Sequence, residues 1–310
     1  MNRILALAPL ALLTAIACSS GSIRPGFDDD DDDDDPSEAG IEPPKDGGNG
    51  IINSDASADG PRATNAEVFV HSGDTLYKLD PNTNAVTKIG KFSGNDDDMF
   101  DIALDADGNM FGTTASGLYR INKENAKCTT VRMGQYGDYP NSLSFVPAGT
   151  LEADREVLVG YLDSDYIRID PDTGAKTTVR KNALGNDLVS SGDIVSIREG
   201  DFLTYLTVKP KNKNSCTGEC ASCKDNDCVF EVDPSTGEKV SNLGSAKRKD
   251  VFGLAFWAGD LFGVNTDGKL FRITTNSPPQ VTNIPLDGLG STPIKFYGAG
   301  SSTSAPRGPN

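Results

Sequence analysis

The sequence predicts an all-β fold, a five-bladed β-propeller, and three observations lead to it. Residues 251–275 (VFGLAFWAGDLFGVNTDGKLFRITT) read as three short apolar runs separated by Ala-Gly-Asp and Asn-Thr-Asp-Gly. Runs of that length, rich in β-branched and aromatic side chains, are strands; they are too closely punctuated for helices. A related run recurs along the chain: LYKLDP at 76–81, LYRINK at 118–123, IRIDP at 167–171, FEVDP at 230–234 and LFRIT at 270–274. The two ends of this array, finally, carry complementary parts of one repeat.

The repeat can be built strand by strand. Three copies continue into a turn, Asp80-Pro-Asn-Thr-Asn84, Asp170-Pro-Asp-Thr-Gly174 and Asp233-Pro-Ser-Thr-Gly237. Proline presets φ, the Asp side chain caps the turn, and Gly or Asn accepts the left-handed position. A fourth strand follows, as at 85–89 and 175–179. Upstream of the motif lies an innermost strand: 101–105 (DIALD), 142–146 (SLSFV), 193–197 (DIVSI) and 253–257 (GLAFW). The first repeat, opening at Glu67, lacks one, and residues 293–297 (PIKFY) match the missing piece. A blade completed from both chain ends closes the ring and protects the sheet edges. Residues 65–300 then form the propeller, at a spacing typical of propeller blades. A sixth blade is the alternative if residues 51–66 add strands.

Through residues 101–112 (DIALDADGNMFG) and the LYKLDP turns, the repeat resembles bacterial propellers of the NHL and TolB-like kind. The resemblance covers most of the chain and implies a fold shared by many functions. Gly-His…Trp-Asp pairs are absent, and the single Trp257 cannot supply one tryptophan per blade.

Ahead of the repeats, residues 1–18 have one Arg, an apolar stretch from Ile4 to Ile16 and small residues before Cys18, the pattern of a secretory signal;. Ala15-Ile16-Ala17-Cys18 resembles a bacterial lipobox, which implies that Cys18 is lipidated and that the protein is a membrane-anchored lipoprotein of the outer membrane or cell surface. Residues 19–64, with eight consecutive Asp at 28–35 and a Pro/Gly/Ser/Asp/Asn-rich continuation, read as a disordered tether;. Residues 301–310 read as a disordered tail. Residues 1–60 carry −10 of the net charge of −16, so the propeller itself is only mildly acidic. That balance, without a basic stripe carrying aromatics, argues against nucleic acid as a partner.

A meander puts alternate loops on one side. The tight first-to-second and third-to-fourth turns form one face. The irregular loops form the other, including an insertion at 208–228 containing Cys216, Cys220, Cys223 and Cys228. Two disulfides are expected in an oxidising compartment, with zinc as the alternative; four cysteines allow three pairings. Cys128 is left over, expected to be a buried small hydrophobe on an outer strand.

The candidate ligand-facing residues lie on the loop-rich face: His71, the only histidine, the acidic run Asp96, Asp97 and Asp98, and Asp101 and Asp193 at equivalent starts of innermost strands. Asp101 and Asp193 are the candidate metal ligands, with calcium the ion their oxygens suit. Ser142, Gly253 and Pro293 fill the other equivalent places. No catalytic residue is assigned and no cofactor expected beyond that calcium. The expected function is a monomeric, lipid-anchored module binding a protein or glycan ligand. The alternative is a metal-dependent hydrolase or lyase of the propeller lactonase type, its site at the channel mouth around Asp101 and Asp193.

Overall fold

A computed structural model describes residues 66–198, 202–286, 289 and 294–308. The lipobox with Cys18, the tether 19–64 and the candidate sixth-blade segment 51–65 lie outside the described residues. Strands β1 (Val68–Ser72), β2 (Thr75–Asp80) and β3 (Ala85–Lys91) belong to blade 1. Blade 2 is β4 (Asp101–Leu104), β5 (Met110–Thr113), β6 (Gly117–Asn122) and β7 (Lys127–Met133). Blade 3 is β8 (Ser144–Val146), β9 (Val157–Leu162), β10 (Asp165–Ile169) and β11 (Lys176–Arg180). Blade 4 is β12 (Leu188–Ser196), β13 (Thr204–Pro210), β14 (Cys228–Val232) and β15 (Lys239–Ser245). Blade 5 is β16 (Val251–Trp257), β17 (Asp260–Asn265), β18 (Leu270–Thr274) and β19 (Val281–Ile284).

The last strand, β20 (Phe296–Ser301), pairs with β1 and completes blade 1, giving five four-stranded antiparallel sheets. The closure is as expected, but the strand is not. It overlaps the expected 293–297 only at Phe296 and Tyr297 and runs on to Ser301, and Gly298, opposite His71, takes the place assigned to Pro293. Alternation of apolar residues locates a strand, but only its register against β1 places its ends.

Burial follows position in the blade. Innermost and second strands such as β4, β5 and β12 are buried throughout, whereas outermost β11 is almost wholly solvated. Apolar side chains fill the layers between blades; Val195, Val229, Leu254 and Phe271, for example, pack together between blades 4 and 5. The turns behave as their sequences require. Asp80 Oδ1 accepts the Asn82 N–H at 2.9 Å and Asp170 Oδ1 that of Asp172 at 2.9 Å. The left-handed residues are Asn84 (φ 61°), Gly174 (φ 66°) and Gly237 (φ 70°).

The insertion holds two disulfides, Cys216–Cys220 and Cys223–Cys228, around a short 3₁₀ turn at Gly218–Cys223. Cys128 is unpaired and buried on outer strand β7. The tail expected to be disordered is different: Ser302, Thr303 and Ala305 are buried against the tight-turn end of the ring. There Ser302 donates to the Asp105 carbonyl at 3.0 Å, Thr303 donates to the Glu156 carboxyl, the Arg198 N–H donates to Thr303 at 2.8 Å, and the Ala258 N–H donates to Pro306 at 2.6 Å. Those contacts reach blades 2, 3, 4 and 5. Small hydroxylated residues read as linker in sequence, yet they satisfy backbone groups that the ring leaves open.

Candidate functional site

Five residues occupy equivalent places around the ring: Gly298, Asp101, Ser142, Asp193 and Gly253. Asp101 opens β4 as expected, but Ser142 precedes β8, and β12 begins at Leu188, so Asp193 lies sixth along its strand rather than at its start. Their second-strand partners are His71, Thr113, Tyr161, Thr207 and Val264. The two carboxylates are not at an open mouth, as the sequence reading placed them; both are fully buried. The strands converge so closely that two ring positions must be glycine. A Cβ on Gly298 would lie 2.2 Å from His71 Nε2 and 2.6 Å from Asp101 Oδ1. A Cβ on Gly253 would lie 2.6 Å from the Gly298 carbonyl carbon. The glycines leave the room that Asp101 and Asp193 fill.

Each carboxylate joins its blade to another. Asp101 accepts the Ile102 N–H at 2.9 Å and the Leu143 N–H of blade 3 at 2.7 Å. Asp193 accepts the Ile194 N–H at 2.6 Å and the Leu254 N–H of blade 5. The neighbouring threonines repeat the device. Thr113 donates to the Pro140 carbonyl and Thr207 to the Val251 carbonyl, each at 3.0 Å. Asp227, from the end of the insertion, adds another clamp by accepting Ser191 Oγ at 2.6 Å and the Val251 N–H at 2.8 Å.

Electrostatics follow from burial. Burial pushes the Asp101 carboxyl well above the usual range, and the nearby Asp193 charge and hydrogen bond add to that rise. Burial also raises Asp193, against lowering contributions from Asp101 and from backbone N–H groups. Burial thus disfavours charge on both carboxyls, and a charge on Asp193 further disfavours one on Asp101;. Burial lowers the imidazole of His71 to about 4, so the ring is neutral. Its Nδ1 donates to the Ser72 carbonyl at 2.8 Å, leaving Nε2 a buried acceptor without a partner. His71 is thus at the loop-rich end of its strand but sealed beneath β20, edge-on to Phe92 at 5.9 Å, and does not reach the surface expected of it.

The acidic loop is exposed but partly engaged. Asp96 accepts Tyr119 Oη at 2.6 Å and Thr114 Oγ1 at 2.8 Å, and also accepts Ser116. Burial raises its pKa, but those bonds outweigh it and hold the carboxyl below its ordinary value. Asp97 caps the Asp98 N–H at 2.8 Å, and the Asp98 carboxyl packs over Gly73. Among the described residues, no group of three or more His, Cys, Asp or Glu side chains is arranged to hold a metal ion. At the ring centre two carboxylates with backbone N–H partners stand where calcium takes six to eight oxygens.

What sequence reasoning missed is a surface. Phe252 and Tyr297, both partly exposed, stack with centroids 6.3 Å apart, and Lys209 Nζ lies 5.6 Å from the Phe252 ring. Beside them a cleft of about 400 Å³ is lined by Ser72, Asp74, Tyr77, Asp98, Lys295 and Tyr297. Further round the same face, Tyr136 is 83% and Met133 47% exposed. No signal within one repeat could have paired residues 252 and 297.

Neither known protein families nor curated proteins match this sequence. Among solved structures the chain is similar to one from the nidogen/laminin complex, with 10% identity and a TM-score of 0.45 over 78% of this chain and 100% of that one. It is also similar to a protein of unknown function from Bacteroides caccae, with 11% identity and a TM-score of 0.37 over 75% and 77% of the two chains. The propeller itself is defined by the five closed sheets.

Proposed function

We propose that this protein is a lipid-anchored, extracytoplasmic β-propeller of the NHL/TolB-like kind that acts as a binding module, with its ligand seat on the loop-rich face. The observation that carries this reading is a division of labour. The carboxylates and threonines at the ring centre are buried and engaged in clamping blades together, whereas the loop-rich face retains partly exposed aromatics beside a cleft. Rigid scaffolds commonly bind through such variable loops. The disulfide pairs support an oxidising compartment, and the pattern ending at Cys18 supports export and anchoring by lipid. A protein or glycan ligand suits the mixed aromatic and charged surface. The test is a photo-crosslinking residue at Tyr297, compared with one at Thr129 on outer strand β7, in intact cells. Envelope adducts from position 297 alone support the reading; equal adducts at both positions contradict it.

The proximity of Asp101 and Asp193 favours a second reading, a metal-dependent hydrolase or lyase. It requires the sealed carboxyls to open toward a substrate and calcium to enter. Millimolar calcium should then raise the melting temperature of wild type but not of Asp101→Asn/Asp193→Asn; no rise in wild type contradicts it.

A further inference from the structure

Cations in this molecule fall into two populations. Those on blades 1–3 are largely ion-paired, as in Lys78–Glu67, Lys91–Asp74, Arg168–Glu152 and Arg180–Glu238. Those at the loop-rich ends of blades 4 and 5, in the loops or at the end of β13, are not. Lys209, Lys211, Lys247, Arg248, Lys249 and Lys269 form no ion pair among the described residues. The fold gathers them from distant parts of the chain. Asn265 donates to the Lys249 carbonyl at 3.2 Å and accepts the Lys269 N–H at 3.1 Å, tying those two loops together. The Asp227 N–H donates to the Arg248 carbonyl at 2.8 Å, which ties the disulfide-stapled insertion to the same loop.

Arg248 also donates to Asn283 Oδ1 at 2.7 Å, beside a groove of about 280 Å³ lined by Lys269 and Asn283. Lys209 links this arc to the Phe252–Tyr297 stack, and Lys295 continues it to the rim of the larger cleft. Exposed acids in these loops, Asp187, Glu219, Asp225, Asp250 and Asp267, are outnumbered, and Glu219 is already paired with Lys239. Unpaired like charges held close repel one another, and a polyanion relieves that repulsion.

We infer that the loop-rich face of blades 4 and 5 binds an acidic polysaccharide, its carboxylate, phosphate or sulfate groups on the lysine arc and a sugar ring against Phe252 and Tyr297. This deepens the binding-face reading and rests on it. One observation favours a glycan over nucleic acid. The disulfides suit a compartment where the standing polyanions are envelope glycans;.

The experiment titrates the full-length protein with a sulfated heparin octasaccharide, neutral maltooctaose and a single-stranded oligonucleotide of matched charge. It compares wild type with Lys247→Gln/Lys249→Gln/Lys269→Gln, with the charge-matched control Lys88→Gln/Lys127→Gln/Arg132→Gln on outer surfaces, and with Tyr297→Ala. The arc variant should weaken octasaccharide binding about tenfold and the control less than twofold. Wild-type affinity should fall steeply with salt, and maltooctaose should not compete. No octasaccharide binding at low salt, or equal loss in the arc variant and the control, overturns the inference. Tighter oligonucleotide binding overturns the glycan assignment. Loss in Tyr297→Ala with the arc variant unaffected overturns the polyanion inference but leaves the binding face standing. Binding indifferent to both overturns the face as well.

Discussion

Asp101 and Asp193 are both fully buried at the centre of the ring, and each accepts a backbone N–H from the next blade, Leu143 and Leu254. Each is a clamp between blades whose carboxyl is raised by burial, in Asp101 with a further rise from the neighbouring Asp193. Because both folded pKa values are raised, the folded state binds more protons than the unfolded chain above the ordinary carboxylate range. The pair's stabilisation is present in acid and is lost as pH rises through the folded values. Asp101→Ala orphans two buried N–H groups and should cost about 2–4 kcal/mol. That cost should be largest in acid and shrink toward alkaline pH, as followed by denaturant melts across pH. A cost that grows with pH would contradict the raised carboxyls.

His71 acts with the opposite sign. Its folded pKa of about 4 lies below the ordinary value of 6.5, so the unfolded chain takes up a proton first as pH falls. Stability should drop between those values by on the order of 3 kcal/mol. His71→Phe should remove that acid-side slope in the same melts, and an unchanged slope would show that His71 does not titrate in this window.

The C-terminal residues should behave as part of the fold. Ser302 and Thr303 bridge blades 2, 3 and 4 through Asp105, Glu156 and Arg198. Deleting residues 302–310 exposes these partners and should lower stability by about 2–4 kcal/mol, read as a lower denaturant midpoint and faster exchange of the Arg198 and Ala258 amides. A truncation as stable as the full chain would make the tail a passive appendage.

Much of the architecture was legible because its cues are local. The Asp-Pro turns need only Asp80, Asp170 or Asp233 and a left-handed Asn or Gly a few residues on. The centre was not legible, because burial of Asp101 and Asp193 depends on Leu143, Leu254 and two glycines far away in sequence. Asp101 does open its strand, but β12 begins at Leu188, so Asp193 lies well inside its own; the environment of both was a property of ring closure. The lysine arc stayed hidden for a similar reason. Net acidity conceals a cluster whose members, such as Lys209, Lys249 and Lys269, meet only after blades 4 and 5 pack.

The cysteines separate by reactivity. Cys216, Cys220, Cys223 and Cys228 are paired, and burial pushes the Cys128 thiol up to about 11. Denatured, unreduced protein should show one free thiol when Cys18 is acylated, and native protein should show none with a rapid thiol reagent. Two or more free thiols in the denatured lipidated protein would contradict this. Among the described residues no helix is long and apolar enough to cross a membrane. If the proposed lipid on Cys18 is the anchor, Cys18→Ser should leave the membrane fraction, and retention there would place the anchor elsewhere.

The central claim, that the loop-rich face binds while the ring centre only clamps, is tested most directly by hydrogen–deuterium exchange with and without the heparin octasaccharide. The account predicts protection at residues 209–211, 246–250, 267–269 and 294–297, with the tight turns at 123–126, 171–175 and 233–238 unchanged. Protection confined to those turns, or centred on Asp101 and Asp193 with the lysine loops unchanged, would contradict it.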